Sequence, residues 1–258
     1  MIRLQNMTCG YGKKVVLSEI SLQIEGGHLT CLLGQNGAGK TTLFKTILGF
    51  IRPFEGTVFI NEKPLHRLHP KELARAISYV PQAHATPFPY TAFDVVLMGR
   101  FVYSEGLFGL PDRKSRKIVH ECFNRLEIEH LKDQYFSSLS GGEKQMVLIA
   151  RAMAQQPLFI AMDEPTSNLD LGNQARVMNI AMMLKEQGYG VIMNTHAPEQ
   201  ALNYADKVIL LQNGKIRDSG SPGEIMNSAL ISEIYKINLE LVSAKTTDGK
   251  DHQVCVAI

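Results

Sequence analysis

The sequence predicts an α/β fold: a strand–helix core interrupted by an inserted helical subdomain. Three observations predict it. A nearly continuous apolar segment, His28-Leu29-Thr30-Cys31-Leu32-Leu33, runs into the glycine-rich stretch Gly34–Gly39. A second, Leu158-Phe159-Ile160-Ala161-Met162, ends on two consecutive carboxylates, Asp163 and Glu164. Such runs mark strands covered on both faces, as in parallel sheets. Between the two, helical periodicity replaces strand–helix alternation. The expected division is therefore a core in 1–83 and 158–258 and a helical block in 84–157.

The elements follow in order. Ile2 and Leu4, then Leu22 and Ile24, alternate with polar neighbours and read as strands, the second broken by Glu25-Gly26-Gly27. After the apolar segment and its glycine loop, Lys40–Phe50 reads as a helix stopped by Arg52-Pro53. Strands are expected at Thr57–Ile60 and Ile77–Val80. From about His84 the texture changes to Pro87, Pro89, the segment Phe93–Arg100, a glycine-containing loop and a helical stretch near Asp112–Leu126. Asp112 and the basic residues after it give that helix a charged, solvated start.

Ser140-Gly141-Gly142 opens a further helix, with Met146, Ile149, Ala150 and Met153 at i, i+3, i+4 and i+7. Those methionines read as core filler rather than metal ligands. Strands are expected again at Leu158–Met162 and Val191–Asn194, around a helix near Gln174–Gln187. Val208–Gln212, Asn213-Gly214 and Lys215–Asp218 give a hairpin signal. Short helices near Pro222–Asn227 and Ile231–Lys236 and two strands around Thr247–Lys250 follow.

Composition narrows the function. The 258 residues, 45% hydrophobic and 20% charged, fit an ordinary soluble chain of one or two domains. A net charge of +2 argues against nucleic acid as the main ligand. Cys9, Cys31, Cys122 and Cys255 show no CxxC spacing, so a reducing compartment is expected and a disulfide or zinc framework is not. No apolar run approaches the ~18 residues of a membrane span, and Met1–Asn6 does not open a signal peptide. Asn6-Met7-Thr8 therefore stays an unglycosylated sequon. Cys255-Val256-Ala257-Ile258 fits the prenylation pattern loosely and reads as an alternating strand.

Gly34-Gln35-Asn36-Gly37-Ala38-Gly39-Lys40-Thr41-Thr42 matches G-x-x-x-x-G-K-[ST] in full. Glycines let the backbone approach phosphate oxygens, and successive N–H groups encircle them at a positive helix N-terminus. Lys40 is expected to reach the β- and γ-phosphates, and the Thr41 hydroxyl to ligate Mg²⁺. Asp163, at the carboxyl end of an apolar strand, suits the magnesium shell, because the ion is hard and prefers oxygen. Glu164 is the candidate base for an attacking water, facing away from Asp163 by strand alternation.

With these anchors in place, Leu139-Ser140-Gly141-Gly142-Glu143-Lys144-Gln145 resembles the signature sequence of ABC-type ATPases, and the likeness covers almost the whole chain. The resemblance implies a P-loop NTPase core of ABC ATPase type, a mixed sheet with flanking helices and an N-terminal antiparallel β portion, that binds ATP and Mg²⁺. It matches Tyr11 to the aromatic that stacks on adenine, and Gln82 to the glutamine between subdomains that joins Thr41 and Asp163 at the metal. Ser167-Asn168-Leu169-Asp170 matches the loop facing a partner subunit, and His196 the histidine that contacts the γ-phosphate. Ser140, Gly141 and Gly142 then serve the ATP of a second copy. Two copies would pack head to tail around two nucleotides, weakly or openly without ATP. Glu143 stands where many members carry Gln, adding a charge that the helix N-terminus tolerates.

Ile77–Gln82, Phe88-Pro89-Tyr90-Thr91, Asp94–Arg100, Leu239–Val242 and Thr247-Asp248-Gly249 are similar to the importer branch serving iron–siderophore, haem and vitamin B12 systems. That likeness implies an integral membrane permease docked through the helical block, and a periplasmic or lipid-anchored binding protein that selects cargo. The chain itself would lie on the cytoplasmic face of the cell membrane. The alternative is a soluble ABC-type ATPase of iron–sulfur cluster assembly, some of which share Glu-Lys after the signature glycines. A coiled-coil DNA-repair ATPase is disfavoured, because no sustained heptads separate the anchors.

Overall fold

The computed structural model describes residues 1–82, 89–104, 111–247, 249 and 251–258. The expected boundary near His84, Pro87 and Phe88, the glycine-containing loop at 105–110, and Asp248 and Lys250 of the tail lie outside the described residues.

The strands are β1 (Ile2–Tyr11), β2 (Lys14–Ile24), β3 (Leu29–Leu33), β4 (Glu55–Ile60), β5 (Lys63–Pro64), β6 (Ile77–Val80), β7 (Phe159–Asp163), β8 (Gly190–Asn194), β9 (Lys207–Gln212), β10 (Lys215–Gly220), β11 (Leu239–Lys245) and β12 (Asp251–Ala257). The helices are α1 (Lys40–Ile47), α2 (Pro70–Ala76), α3 (Ala92–Met98), α4 (Arg113–Arg125), α5 (Gly141–Ala154), α6 (Leu171–Glu186), α7 (Pro198–Tyr204), α8 (Pro222–Ile225) and α9 (Ser228–Tyr235). Two compact units emerge, Met1–His66 with Gly190–Ile258, and Arg67–Tyr189.

In the first unit, β2, β1, β4 and β5 form an antiparallel sheet in that order. A parallel layer is built on β3, which pairs with β8 on one side and β9 on the other. Every residue of β3 and β8 is buried, which is why neither sequence alternates. β9 and β10 make the expected hairpin around Asn213 (φ 50°) and Gly214 (φ 77°), a left-handed pair that matches strand twist. Helix α1 stops at Ile47, three residues before the expected Phe50. Gly49 turns left-handed there, and the Phe50 N–H reaches back to the Lys45 carbonyl at 2.8 Å, closing a helix cap. β11 pairs with β12, so Cys255 sits half-buried in a strand and gives its backbone N–H to Glu199 Oε1 at 2.8 Å.

In the second unit, β6 and β7 run parallel, with Val80 opposite Met162. Helices α3 and α4 pack on α5, whose Met146, Ile149, Ala150 and Met153 are all buried. Side chains set where the helices begin. Thr91, Asp112, Ser140 and Asp170 each accept a backbone N–H three residues on, from Asp94, Ser115, Glu143 and Asn173. Asp112 is thus a cap as well as an exposed charge at the solvated start of α4. Helix α6 begins at Leu171, ahead of the expected Gln174, because Asp170 caps it. Two helices, α2 and α7, have no counterpart in the sequence reading. Each has seven residues and starts on a proline, too short for periodicity to register.

Candidate active site

The phosphate loop leaves the end of β3 and enters α1 in the first unit. Two of its positions admit only glycine. A Cβ on Gly34 would lie 2.3 Å from the Leu211 carbonyl oxygen, and one on Gly39, at φ 104°, 2.5 Å from Leu17 Cδ2. The chain can therefore hug its neighbours and still turn into the helix. A turn closes the loop, with Ala38 N–H to Gln35 O at 3.1 Å. Asn36, Gly37 and Thr41 are exposed, while Thr42 is buried.

Lys40 is only 5% exposed, and its ammonium donates to the carbonyls of Gly34 at 2.6 Å and Gln35 at 3.1 Å. The charge is thus held over the loop by the loop itself. Tyr11 ends β1 beside the Gly12-Lys13 turn and is half exposed. His196 leaves the end of β8, whose Asn194 pairs with Leu32 of β3. The Thr195 N–H bonds the Leu32 carbonyl at 3.2 Å, so the histidine starts from the strand beside the one that delivers the phosphate loop. The His196 side chain is exposed. The first unit therefore gathers Tyr11, Gly34–Thr42 and His196.

The second unit holds the remaining residues. Asp163 ends β7 and accepts a hydrogen bond from the Tyr79 hydroxyl at 3.2 Å. Burial and the neighbouring Asp163 charge push the Tyr79 phenol up to about 12, so it stays a donor. Gln82 follows β6, the strand paired with β7, and is half-buried. Glu164 lies one residue beyond the strand at φ 47°. A left-handed turn therefore aims it, where strand alternation was expected to do so. The Ser167 hydroxyl donates to Glu164 Oε2 at 3.0 Å, and the Ser167 N–H to the Glu164 carbonyl at 3.1 Å.

The signature residues lie at the start of α5, against the loop that precedes α6. A Cβ on Gly142 would lie 2.4 Å from Asn173 Cγ, and one on Gly141 3.8 Å from Leu169 Cδ2. Asn173 is itself held by Asp170, its backbone N–H reaching Oδ1 at 2.9 Å and its amide reaching Oδ2 at 2.7 Å. Those bonds hold the Asp170 carboxyl below its ordinary range. Ser140 and Glu143 form a reciprocal cap, Ser140 N–H to Glu143 Oε2 at 2.8 Å and Glu143 N–H to Ser140 Oγ at 3.3 Å. Asn173 was not singled out from sequence, Tyr79 entered only within the Ile77–Gln82 segment, and Ser167 only as part of the loop facing a partner subunit. Of the three, Ser167 alone carried a local signal for its contact, since it lies a single turn past Glu164.

The donor set fits magnesium: a threonine hydroxyl, a carboxylate and an amide oxygen are all hard oxygen ligands. The loop fits a polyphosphate, with cramped glycine positions and a cation drawn over them.

The pattern of the ABC transporter family matches residues 17–167. The chain belongs to that family. ATP hydrolysis characterises ABC transporter ATPases, and the chain is one of them. It is 35% identical to the hemin import ATP-binding protein of Thermobifida fusca, over 94% of this chain and 84% of that protein. It is 30% identical to the iron(3+)-hydroxamate import ATP-binding protein of Bacillus subtilis, over 95% and 91%. An inward-facing structure of a metal-chelate type ABC transporter superposes with a TM-score of 0.87 at 30% identity, covering 99% of this chain and 97% of that one. Among the described residues no helix is long and apolar enough to cross a membrane.

Proposed function

We propose that this ABC ATPase energises uptake of an iron chelate, haem or cobalamin through a separate membrane permease on whose cytoplasmic face it lies. A periplasmic or lipid-anchored binding protein selects the cargo. The single observation that carries the reading is the phosphate loop folded around a buried Lys40 at the head of α1. The importer branch rests on relatives named for hemin and for iron(3+)-hydroxamate. Those two carry different cargoes at similar identity, so the permease and binding protein decide the chelate, and this chain supplies work. The cluster-assembly alternative has only the Glu143-Lys144 pair in its favour, and the relatives named for import outweigh it.

Phosphoryl transfer to water is mostly positioning and charge stabilisation. In this reading Thr41, Gln82 and Asp163 hold magnesium, which supplies positive charge to the triphosphate. Tyr11 stacks on adenine, Lys40 neutralises the terminal phosphates and Glu164 orients the attacking water. His196 holds the γ-phosphate end. Gly34–Thr42 of one copy and Ser140, Gly141, Gly142 and Asp170 of a second enclose each nucleotide, so a single chain is half a machine. Residues 84–157 form the inserted helical block on which the permease docks.

The test is reconstitution with the neighbouring permease and binding protein in liposomes. Hydrolysis is expected to rise several-fold with one of ferric hydroxamate, haem or cobalamin loaded on the binding protein, and not with the others. Failure of all three to stimulate a coupled complex would overturn the importer reading.

A further inference from the structure

Four consecutive residues of α9 each tie a different part of the first unit. Ser232 exchanges hydrogen bonds with Leu239 at the start of β11, its hydroxyl to the carbonyl at 3.2 Å and the Leu239 N–H to its oxygen at 3.1 Å. Glu233 takes both arms of the Arg217 guanidinium from β10, Nη2 to Oε2 at 2.8 Å and Nη1 to Oε1. The Ile234 carbonyl accepts the side-chain amide of Gln35, the second residue of the phosphate loop. The Tyr235 hydroxyl donates to the backbone carbonyl of His196 at 3.0 Å.

These contacts are not generic packing. A pocket of about 120 Å³ is lined by Gln35–Ala38, Leu211–Asn213 and Ile234, so both partners of the Gln35–Ile234 bond belong to its wall. Burial pushes the Tyr235 phenol up to about 12, so it keeps its proton and remains a donor across the working pH range. The bidentate Arg217–Glu233 pair fixes the helix on the β9–β10 hairpin, a geometry in which little freedom is left to lose. One helical turn therefore holds the phosphate loop and the histidine loop at a set spacing, and connects both to the terminal β11–β12 hairpin.

We infer that α9 is a latch across the two nucleotide-contacting loops, and that Tyr235 is a positioning residue for hydrolysis, acting through His196. The inference rests on the role given to His196 above. The phenol's hydrogen bond is to the histidine's backbone, so its work is to fix where the imidazole starts, and not to bind nucleotide. Loss of that bond changes turnover more than affinity. Loss of the Gln35 bond loosens the phosphate loop and acts on affinity instead.

The experiment compares full-length wild type, Tyr235→Phe, His196→Ala, the double variant and Gln35→Leu, with steady-state Mg-ATP hydrolysis and thermal unfolding. Tyr235→Phe keeps the ring and is expected to lower kcat about three- to tenfold, with KM for ATP within about twofold. His196→Ala is expected to be slow, and adding Tyr235→Phe to it to cost nothing further, because the group being positioned is gone. Gln35→Leu is expected to raise KM more than it lowers kcat. If His196→Ala hydrolyses at the wild-type rate, the histidine assignment fails and the latch with it. If His196→Ala is slow but Tyr235→Phe is unchanged, or compounds with it, the latch alone is overturned. A Tyr235→Phe loss that tracks a fallen melting temperature also overturns it, since that is a merely structural role.

Discussion

The phosphate loop and the carboxylate-signature region are held in place differently. In the loop, the cation is held locally. Lys40 is fixed by carbonyls five and six residues upstream, while the close approaches at Gly34 and Gly39 are to Leu211 and Leu17. In the second unit, local turns and caps are joined by two contacts from farther along the chain. Tyr79 reaches Asp163 across 84 positions, and Asn173 fills the space over Gly142. A site built from consecutive residues tolerates little and shows itself in the sequence. One built from distant partners can be weakened gradually, and hides.

The strongest way to break this comparison is Glu164→Gln. The turn that aims Glu164 is local, with its φ of 47° and the Ser167 bond, and the amide keeps both. Geometry and ATP binding should therefore survive while the base is lost. Turnover is expected to fall about a hundredfold or more, with ATP affinity within about twofold and the ATP-bound pair trapped. Single-turnover hydrolysis and sedimentation with Mg-ATP check it. A normal steady-state rate would move the water-orienting role elsewhere.

The same contrast governs what could be read in advance. The apolar strand, its loop and α1 were legible because residues 28–47 carry the whole device in one stretch. The capping residues Ser140 and Asp170 were singled out, but for a ligand, and their helix-starting bonds were not foreseen. Asp112 was read as a solvated charge because a cap and an exposed acid look alike without the helix boundary. Glu164 was expected to be aimed by strand alternation, but β7 ends at Asp163, and a one-residue difference in strand length turns alternation into a left-handed turn. Tyr79, Asn173 and Tyr235 were invisible: a tyrosine or asparagine many residues away carries no mark of what it will touch.

A weaker perturbation sharpens the comparison from the other side. In Gly142→Ala the new methyl needs space held by the Asn173 amide, which must swing off Asp170 and give up a 2.7 Å bond. Stability is expected to fall by about 1 kcal/mol, offset in part by alanine's better helix propensity. Hydrolysis is expected to fall about tenfold on the proposal above, in which Gly142 serves the nucleotide of a second copy. Adding Asn173→Ala separates the two consequences. Thermal stability should recover, because the clash is relieved, and hydrolysis should not. Recovery of both would reduce Gly142 to a packing position.

The smallest effect concerns Glu143, where the sequence departs from the glutamine many family members carry. Hydrogen bonding with the Ser140 side chain, and then with the Ser140 N–H, holds its carboxyl below the ordinary value of 4.5. A folded-state pKa lowered in this way stabilises the protein above the unfolded value and loses that stabilisation as pH falls through the lowered one. Because the group is largely solvated, the contribution at neutral pH is under about 0.5 kcal/mol. Glu143→Gln can make the same cap with a neutral oxygen, so it should melt within a degree or two of wild type at pH 7. The gap should close or reverse once pH falls below the ordinary carboxylate range, where wild type protonates and the variant has nothing to lose. Melting curves at the two pH values decide it. An unchanged gap would mean that the helix start is held by Ser140 alone, and that the glutamate at this position is a surface charge and nothing more.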